Sequence, residues 1–419
     1  MIQLLERVEP KNFYAIATAL SQELAASAIE RDLEAGIPDA EIRRLKESGL
    51  LALNIPREYG GIGANWIESS KVLQELSKAD GSIGQLYGNH LALVIIGQMV
   101  GTPAQAEYFY RITAQNNLFW GNAINTRDTR LKIEPVGDHY RVNGIKSFGT
   151  GTVVADMRVF SAMQDGAEMP IFFVIPKTRE GVVYNNDWDN MGQRRTASGS
   201  FTFNNVIVYR DEIVGPSPFP ESAFLTLPSV VAQLTKTYVY LGIAEGALEA
   251  AREYIQTTAR PWMNSGVDRA SQDPYILRLD IAVVKKNPLQ VDRASQDPYI
   301  LRQYGELWSS LQAAIALADR AAEQVQIAWD RGVALRLEER GETAIAVSTA
   351  KAFAIKVGTD ITNRIFEVMG ARATASRYGF DRYWRDLRTF SLHDPLDHKL
   401  RSIGNWVLND EMPVPSQYS

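Results

Sequence analysis

Four ionisable side chains crowd together near the end of the chain: His393, Asp394, Asp397 and His398. Two of them are among only four histidines in 419 residues. An imidazole titrates near neutral pH and suits general acid–base work, and a neighbouring carboxylate can orient it. The group closes residues 377–399, RYGFDRYWRDLRTFSLHDPLDHK, which are dense in arginine and aromatic side chains. Such a cluster is either a solvated surface turn or the wall of a site. No metal is expected there, because the spacing is not that of a zinc motif and Pro395 intervenes. His90, inside the apolar run YGNHLALV, poses a similar choice. It is either a core histidine bonded to a backbone carbonyl or a side chain facing a pocket.

The elements that must position these groups read as three regions. Residues 13–49 repeat apolar positions at helical spacing, with a break at Gly36-Ile37-Pro38. Residues 51–63 read as turns, residues 66–79 as helix, and Ser82 as the cap of a helix over 83–100. Residues 119–122, 139–148, 157–163, 169–176, 181–188 and 200–209 are short alternating or β-branched runs separated by turn signals. Helical periodicity returns over 225–260, 304–331 and 342–370. Gly242 and Gly246 mark a place where helices can pack closely, and Ala259-Arg260-Pro261-Trp262 a helix end. The domains are therefore expected at residues 1–116 (helical), 117–222 (β) and 223–419 (helical bundle).

Composition narrows the class. A net charge of -5 leaves no basic excess to meet nucleic acid or an anionic membrane, so neither is an expected partner. Without cysteine there is no disulfide, thiolate metal site or cysteine nucleophile, which fits a cytoplasmic location. No secretory signal is read in the first twelve residues, and no apolar run reaches the ~18 residues of a membrane span.

Several motifs in order give a resemblance. LKESGLLALNIPREYGGIGANW and ELSKADGSIG, then HYRVNGIKSFGTGTVVADMRVF and IPKTREGVVYNNDWDNMGQRRTASGSFTFNNVIVYRDEIVG, resemble the acyl-CoA dehydrogenase superfamily. The likeness implies an α+β multidomain fold, acyl-CoA dehydrogenase-like: an N-terminal α-domain, a central β-barrel-like domain and a C-terminal four-helix bundle, with flavin held between them in a homotetramer. Departures from the dehydrogenases resemble the flavin-dependent monooxygenase branch: GNA, the turn Ser147-Phe148-Gly149-Thr150, a segment ending at Trp188, SGS, and ARPW. That branch implies a two-component enzyme. A separate NAD(P)H:flavin reductase supplies reduced FMN (FMNH2), with FAD as the alternative. Reaction with O2 through a C4a-hydroperoxyflavin then oxygenates a small organosulfur or aromatic heterocyclic substrate such as dibenzothiophene or indole. The chain carries no nicotinamide fingerprint of its own. The other readings are an acyl-CoA dehydrogenase-type oxidoreductase, an N-oxygenase of the same fold, and a flavin-free scaffold.

By the same resemblance Asn122 and Thr150 lie near flavin N5, and Phe148 and Trp188 wall the ring or the substrate. Arg194, Thr196 and Ser198 belong to a flavin-adjacent loop, and Arg260 and Arg372 hold the flavin phosphate. Counting from Arg385-Asp386-Leu387-Arg388 puts Asp394 where dehydrogenases carry a catalytic glutamate. His393 then takes the acid–base role, with Phe390 in the substrate pocket in place of a second histidine and His90 as partner across that pocket. One anomaly remains: VDRASQDPYILR occurs twice, at 267–278 and 291–302. Two copies build no stacked core, so a 24-residue insertion by duplication is expected, with one copy in the family's position and the other an excursion.

Overall fold

In the computed structural model, residues 13–215, 221–260 and 293–416 are described. The first copy of the repeat lies outside them; the second is described from Arg293. The N-terminal helices are α1 (Phe13–Ala26), α2 (Ala28–Glu34), α3 (Asp39–Ser48), α4 (Trp66–Ala79), α5 (Gly81–Leu93), α6 (Ile96–Val100) and α7 (Pro103–Asn116). The break between α2 and α3 falls at Gly36, whose φ of +87° suits a residue without Cβ. The cap of α5 is Asp80, not Ser82: its Oδ1 accepts from the Ser82 and Ile83 amides at 2.9 and 3.2 Å. A carboxylate reaches two orphan amides at once, and the Ser82 hydroxyl instead accepts from the Arg195 amide at 3.3 Å.

The strands are β1 (Trp120–Ala123), β2 (Lys132–Val136), β3 (His139–Lys146), β4 (Met157–Ala162), β5 (Ile171–Pro176), β6 (Val182–Tyr184), β7 (Phe201–Tyr209) and β8 (Ile213–Val214). They form two four-stranded sheets, ordered β1-β4-β5-β8 and β2-β3-β7-β6. The pair β1–β4 is parallel and the other pairings are antiparallel. Ala123, Phe160 and Phe173 from one sheet and Val142, Phe201 and Phe203 from the other share one apolar core. On β7, Phe201 and Phe203 point inward by alternation, and a bulge at Asn204–Asn205 shifts the phase so that Val206 and Val208 point inward too.

The C-terminal helices are α8 (Leu227–Thr257), α9 (Pro298–Arg331), α10 (Leu337–Met369), α11 (Asp381–Ser391) and α12 (Leu396–Asn409). The repeat's second copy starts α9, with Asp297 capping the Tyr299 and Ile300 amides at 2.9 and 3.3 Å and Pro298 at the first helical position. Helix α8 is apolar nearly all round and packs against α4, α5, α9 and α10, so the N- and C-terminal helices share one core. Contact with α4 is close: a Cβ on Gly242 would stand 2.5 Å from the Gln74 carbonyl oxygen, and one on Gly246 2.2 Å from that of Lys78. Among the described residues no helix is long and apolar enough to cross a membrane.

Candidate active site

Two turns of the β-domain lie zipped together. The Gly149 amide donates to the Gly199 carbonyl at 2.9 Å and the Gly151 amide to the Thr196 carbonyl at 3.0 Å. Between them run three buried hydroxyls: Thr150 Oγ1 is 2.9 Å from Ser198 Oγ, which is 2.7 Å from Thr196 Oγ1. The Asn122 amide on β1 donates to the Thr150 carbonyl at 3.3 Å, so the backbone of β1 is tied to the same turn. The sequence-derived group Asn122, Thr150, Thr196 and Ser198 is thus brought together.

The turns are bent into an uncommon shape. Phe148, Gln193 and Ala197 have φ of +58°, +56° and +45°, the left-handed region that costs a side-chain-bearing residue about 1–3 kcal/mol. Strain of this kind persists where the surroundings enforce it. Here Asp128 does so, accepting from the Ser147 amide and hydroxyl at 2.9 and 2.7 Å. As a result Phe148 stands out from the surface, 56% exposed, edge-on to Trp188 at 6.4 Å. The Trp188 indole donates to the Gln193 carbonyl at 2.9 Å. An outward aromatic ledge beside a recessed hydroxyl offers an apolar face and a hydrogen-bonding edge, a lining that fits a planar heteroaromatic ring such as flavin.

Arg194, in the loop expected beside the flavin, turns its side chain to α2. Its guanidinium donates to the Asp32 and Leu33 carbonyls at 2.7 and 3.3 Å, meeting the orphan carbonyls at the end of α2. Arg260 and Arg372 are both exposed. Arg260 follows the end of α8, and Arg372 lies near Tyr254 in its last turn, close enough for its charge to act on that phenol. Two exposed guanidinium forks at that end suit an anionic group.

A second group of candidate residues sits on the turn after α11. His393 keeps 42% of its side chain open, whereas Asp394 is 4% exposed. Asp394 Oδ1 accepts from the Lys351 ammonium of α10 and lies 3.2 Å from His393 Nδ1. Lys351 also donates to the Gln233 side chain of α8, and Lys399 Nζ approaches Asp394 Oδ2 at 3.6 Å. Burial works against the charge on Asp394, but the His393 hydrogen bond and the Lys351 and Lys236 ammonium groups outweigh it and hold its carboxyl well below the usual range. An ionised Asp394 requires a proton on His393 Nδ1, which makes Nε2 the ring's acceptor. Crowding on the protein side, with the Lys236 charge added, holds the imidazole to about 4 against the pull of Asp394. The ring is therefore neutral near pH 7 and takes a proton before it can give one. Burial likewise lowers Lys351 to about 7 and Lys236 to about 8, in both cases opposed by Asp394.

Phe390 is buried, 5.1 Å from Tyr240 and edge-on to His393 at 6.3 Å, so it backs the histidine. Asp397 and His398 are exposed, outside this group. His90 is corrected. It is fully buried, donating from Nε2 to the Leu51 carbonyl at 2.8 Å and accepting the Trp120 amide on Nδ1 at 3.2 Å. Both ring nitrogens are spent on backbone and the ring lies between Tyr87 and Phe119, so it is a core histidine that fixes the start of β1.

Sequence reasoning missed Lys351, Lys236, Gln233, Gln193 and Asp386. A signal existed for the first three: single charged or amide residues inside otherwise apolar helices, as in VVAQLTKTYVYLG and AVSTAKAFAIKVG. Such residues need buried partners: Lys351 has Asp394 and the Gln233 side chain, and Lys236 donates to the Ala232 carbonyl at 3.2 Å.

Comparison with known proteins places these features in context. Residues 14–116 match the family described as acyl-CoA dehydrogenase, N-terminal domain, and residues 279–398 the acyl-CoA dehydrogenase, C-terminal domain. A Pseudomonas putida protein named "Probable FMNH2-dependent monooxygenase SfnC" is 39% identical over 98% of this chain and 98% of its own. The structure of methanesulfinate monooxygenase MsuC from Pseudomonas fluorescens superposes with a TM-score of 0.89 at 40% identity, covering 97% of this chain and 99% of that one. That of TdsC from Paenibacillus sp. A11-2, a dibenzothiophene monooxygenase, bound to FMN and indole, gives 0.87 at 35% identity over 97% and 100% of the two chains.

Proposed function

The chain belongs to the acyl-CoA dehydrogenase family, among its FMN-dependent monooxygenases, and from that premise we propose that it is the oxygenase half of a two-component system acting on a small organosulfur or heteroaromatic substrate. One observation carries the choice of monooxygenase over dehydrogenase. Where the dehydrogenases place a free carboxylate base, this chain has Asp394, buried and ion-paired to Lys351. A carboxylate held that far toward ionisation, facing ammonium groups, is a poor base for a substrate α-proton.

Reduced FMN, delivered by a separate flavin reductase, would supply the two electrons that activate O2 at the site. The residues do the rest. Asn122 and Thr150 orient the flavin edge, Phe148 and Trp188 wall the ring and substrate and exclude water, Ser198 holds Thr150, and Arg260 and Arg372 hold the phosphate. His393 manages the proton at Nε2, with Asp394 fixing its tautomer and Lys351 fixing Asp394. Phe390 packs behind the imidazole. The outward apolar side chains of α12 support assembly into a homotetramer.

The test is His393→Ala, assayed with NADH, a flavin reductase, FMN and, in turn, dibenzothiophene, methanesulfinate and indole. We expect oxygenated product from at least one substrate with the wild type, a fall of about 10²–10⁴-fold in the variant, and unchanged FMN binding. Unchanged product formation removes His393 from the chemistry. Oxidation of a fatty acyl-CoA with an artificial electron acceptor would overturn the monooxygenase reading itself.

A further inference from the structure

The three buried hydroxyls can carry their protons in only one order. Thr196 Oγ1 stands 2.9 Å from the Gln193 carbonyl oxygen. A carbonyl has no proton, so Thr196 supplies it. A hydroxyl has a single proton, so Thr196 can only accept from Ser198, at 2.7 Å. Ser198 has then spent its own proton and accepts from Thr150, at 2.9 Å. The run is Thr150 to Ser198 to Thr196 to the Gln193 carbonyl. Reversal would leave two oxygens 2.9 Å apart with no proton between them at Thr196, which has no exposed surface.

The far end is anchored by the fold. The Gln193 carbonyl also takes the Trp188 indole N–H, and the Gln193 amide donates to Asp386 Oδ1 at 2.5 Å. A carbonyl held in place by α11 therefore sets the proton order at Thr150, three oxygens away. Thr150 sends its proton inward, and what it offers outward is a lone pair.

We propose that this one-way hydroxyl chain makes the site select the reduced flavin over the oxidised one. The inference rests on the reading that puts Thr150 at flavin N5. Reduced flavin carries an N–H at N5, which an outward lone pair accepts. Oxidised flavin carries a lone pair at N5 and meets another. Ser198 and Thr196 are positioning residues for this discrimination.

The experiment is anaerobic titration of the full chain with FMN and with photoreduced FMN, for the wild type, Ser198→Ala, Thr196→Val and Thr150→Val. The wild type is expected to bind the reduced form about tenfold or more tightly than the oxidised form, the worth of one hydrogen bond against one clash of lone pairs. Removing Ser198 Oγ, or the Thr196 oxygen beyond it, frees Thr150 to turn its proton outward. Oxidised FMN should then bind better and the preference shrink about tenfold, a drop of about 30 mV in the bound two-electron couple. Thr196→Val keeps the side-chain shape and covers the case that Ser198→Ala fails to fold. Equal affinities in the wild type, or a preference that survives both variants, overturns the one-way chain. If Thr150→Val leaves both affinities unchanged, the error lies earlier, in placing Thr150 at the flavin.

Discussion

At the scale of single residues, the two histidines singled out from sequence part company. His393 sits on a turn with an open face, whereas His90 spends both nitrogens on backbone. Replacing His90 by Leu strands a buried carbonyl at Leu51 and a buried amide at Trp120, each at about 1–3 kcal/mol. Burial lowers the His90 pKa to about 4, against an ordinary 6.5, so the neutral form is native. Its contribution is then complete above about pH 6.5 and lost as pH falls toward 4. His90→Leu is expected to melt several degrees lower at pH 7.5, with the gap from wild type narrowing by pH 5, in thermal scans at both. An unchanged melting temperature with lost turnover would instead return His90 to the chemistry. The two histidines could not be separated from sequence, because type and local periodicity were the same kind of signal for both. What distinguishes them is the partner: Trp120 lies 30 residues from His90, and Lys351 lies 43 from Asp394.

At the scale of elements, α11 ties together the two groups proposed as one site. Its C-terminal end leads into His393, and its middle grips the loop carrying Gln193 and Ser198. Arg385 donates to the Met191 carbonyl at 2.8 Å, the Gln193 amide donates to Asp386, and a Cβ on Gly192 would stand 2.0 Å from the Arg385 carbonyl oxygen. Burial, with Asp80 nearby, raises the Asp386 carboxyl from its ordinary 3.8 to about 8. The folded chain therefore binds a proton there that the unfolded chain releases above about pH 4. This residue's share of stability is present at low pH and falls as pH rises toward 8. Asp386→Asn retains an oxygen for the Gln193 amide and cannot ionise. Denaturation from pH 5 to 8 should show the variant gaining on wild type by up to about 1 kcal/mol per pH unit. A parallel pair of curves would mean that Asp386 titrates normally. Of these elements the sequence made α4 legible end to end, since Asn65 and Glu68 form a capping box and the apolar spacing is regular. It hid β2, because KIEPV carries a proline and two charges in five residues and buries only Ile133. The grip of α11 on the loop was equally hidden, because backbone contacts leave no mark on residue type.

At the scale of the whole molecule, α12 is built inside out. The side chain it buries is Lys399, beside Asp394, while Leu400, Val407 and Leu408 are 50%, 64% and 81% exposed and Val414 beyond it 82%. A helix of this pattern lacks a covering surface for its apolar stripe. A second copy of the chain is the occupant consistent with the homotetramer proposed above. Full cover of each such side chain is worth about 1.5–3 kcal/mol. Light scattering on the purified wild type should give the mass of four chains, and Val407→Glu with Leu408→Glu a smaller species. Because Lys399 shares the helix, loosening α12 also loosens a cation held 3.6 Å from the carboxylate that orients His393. The dissociated variant should therefore lose turnover more than it loses helical signal in circular dichroism. A monomeric wild type at micromolar concentration would sink the assembly and leave the stripe to another partner. A tetramer that survives both glutamates would place its contacts elsewhere on the bundle, where Trp308 and Ile327 of α9 are also about half exposed.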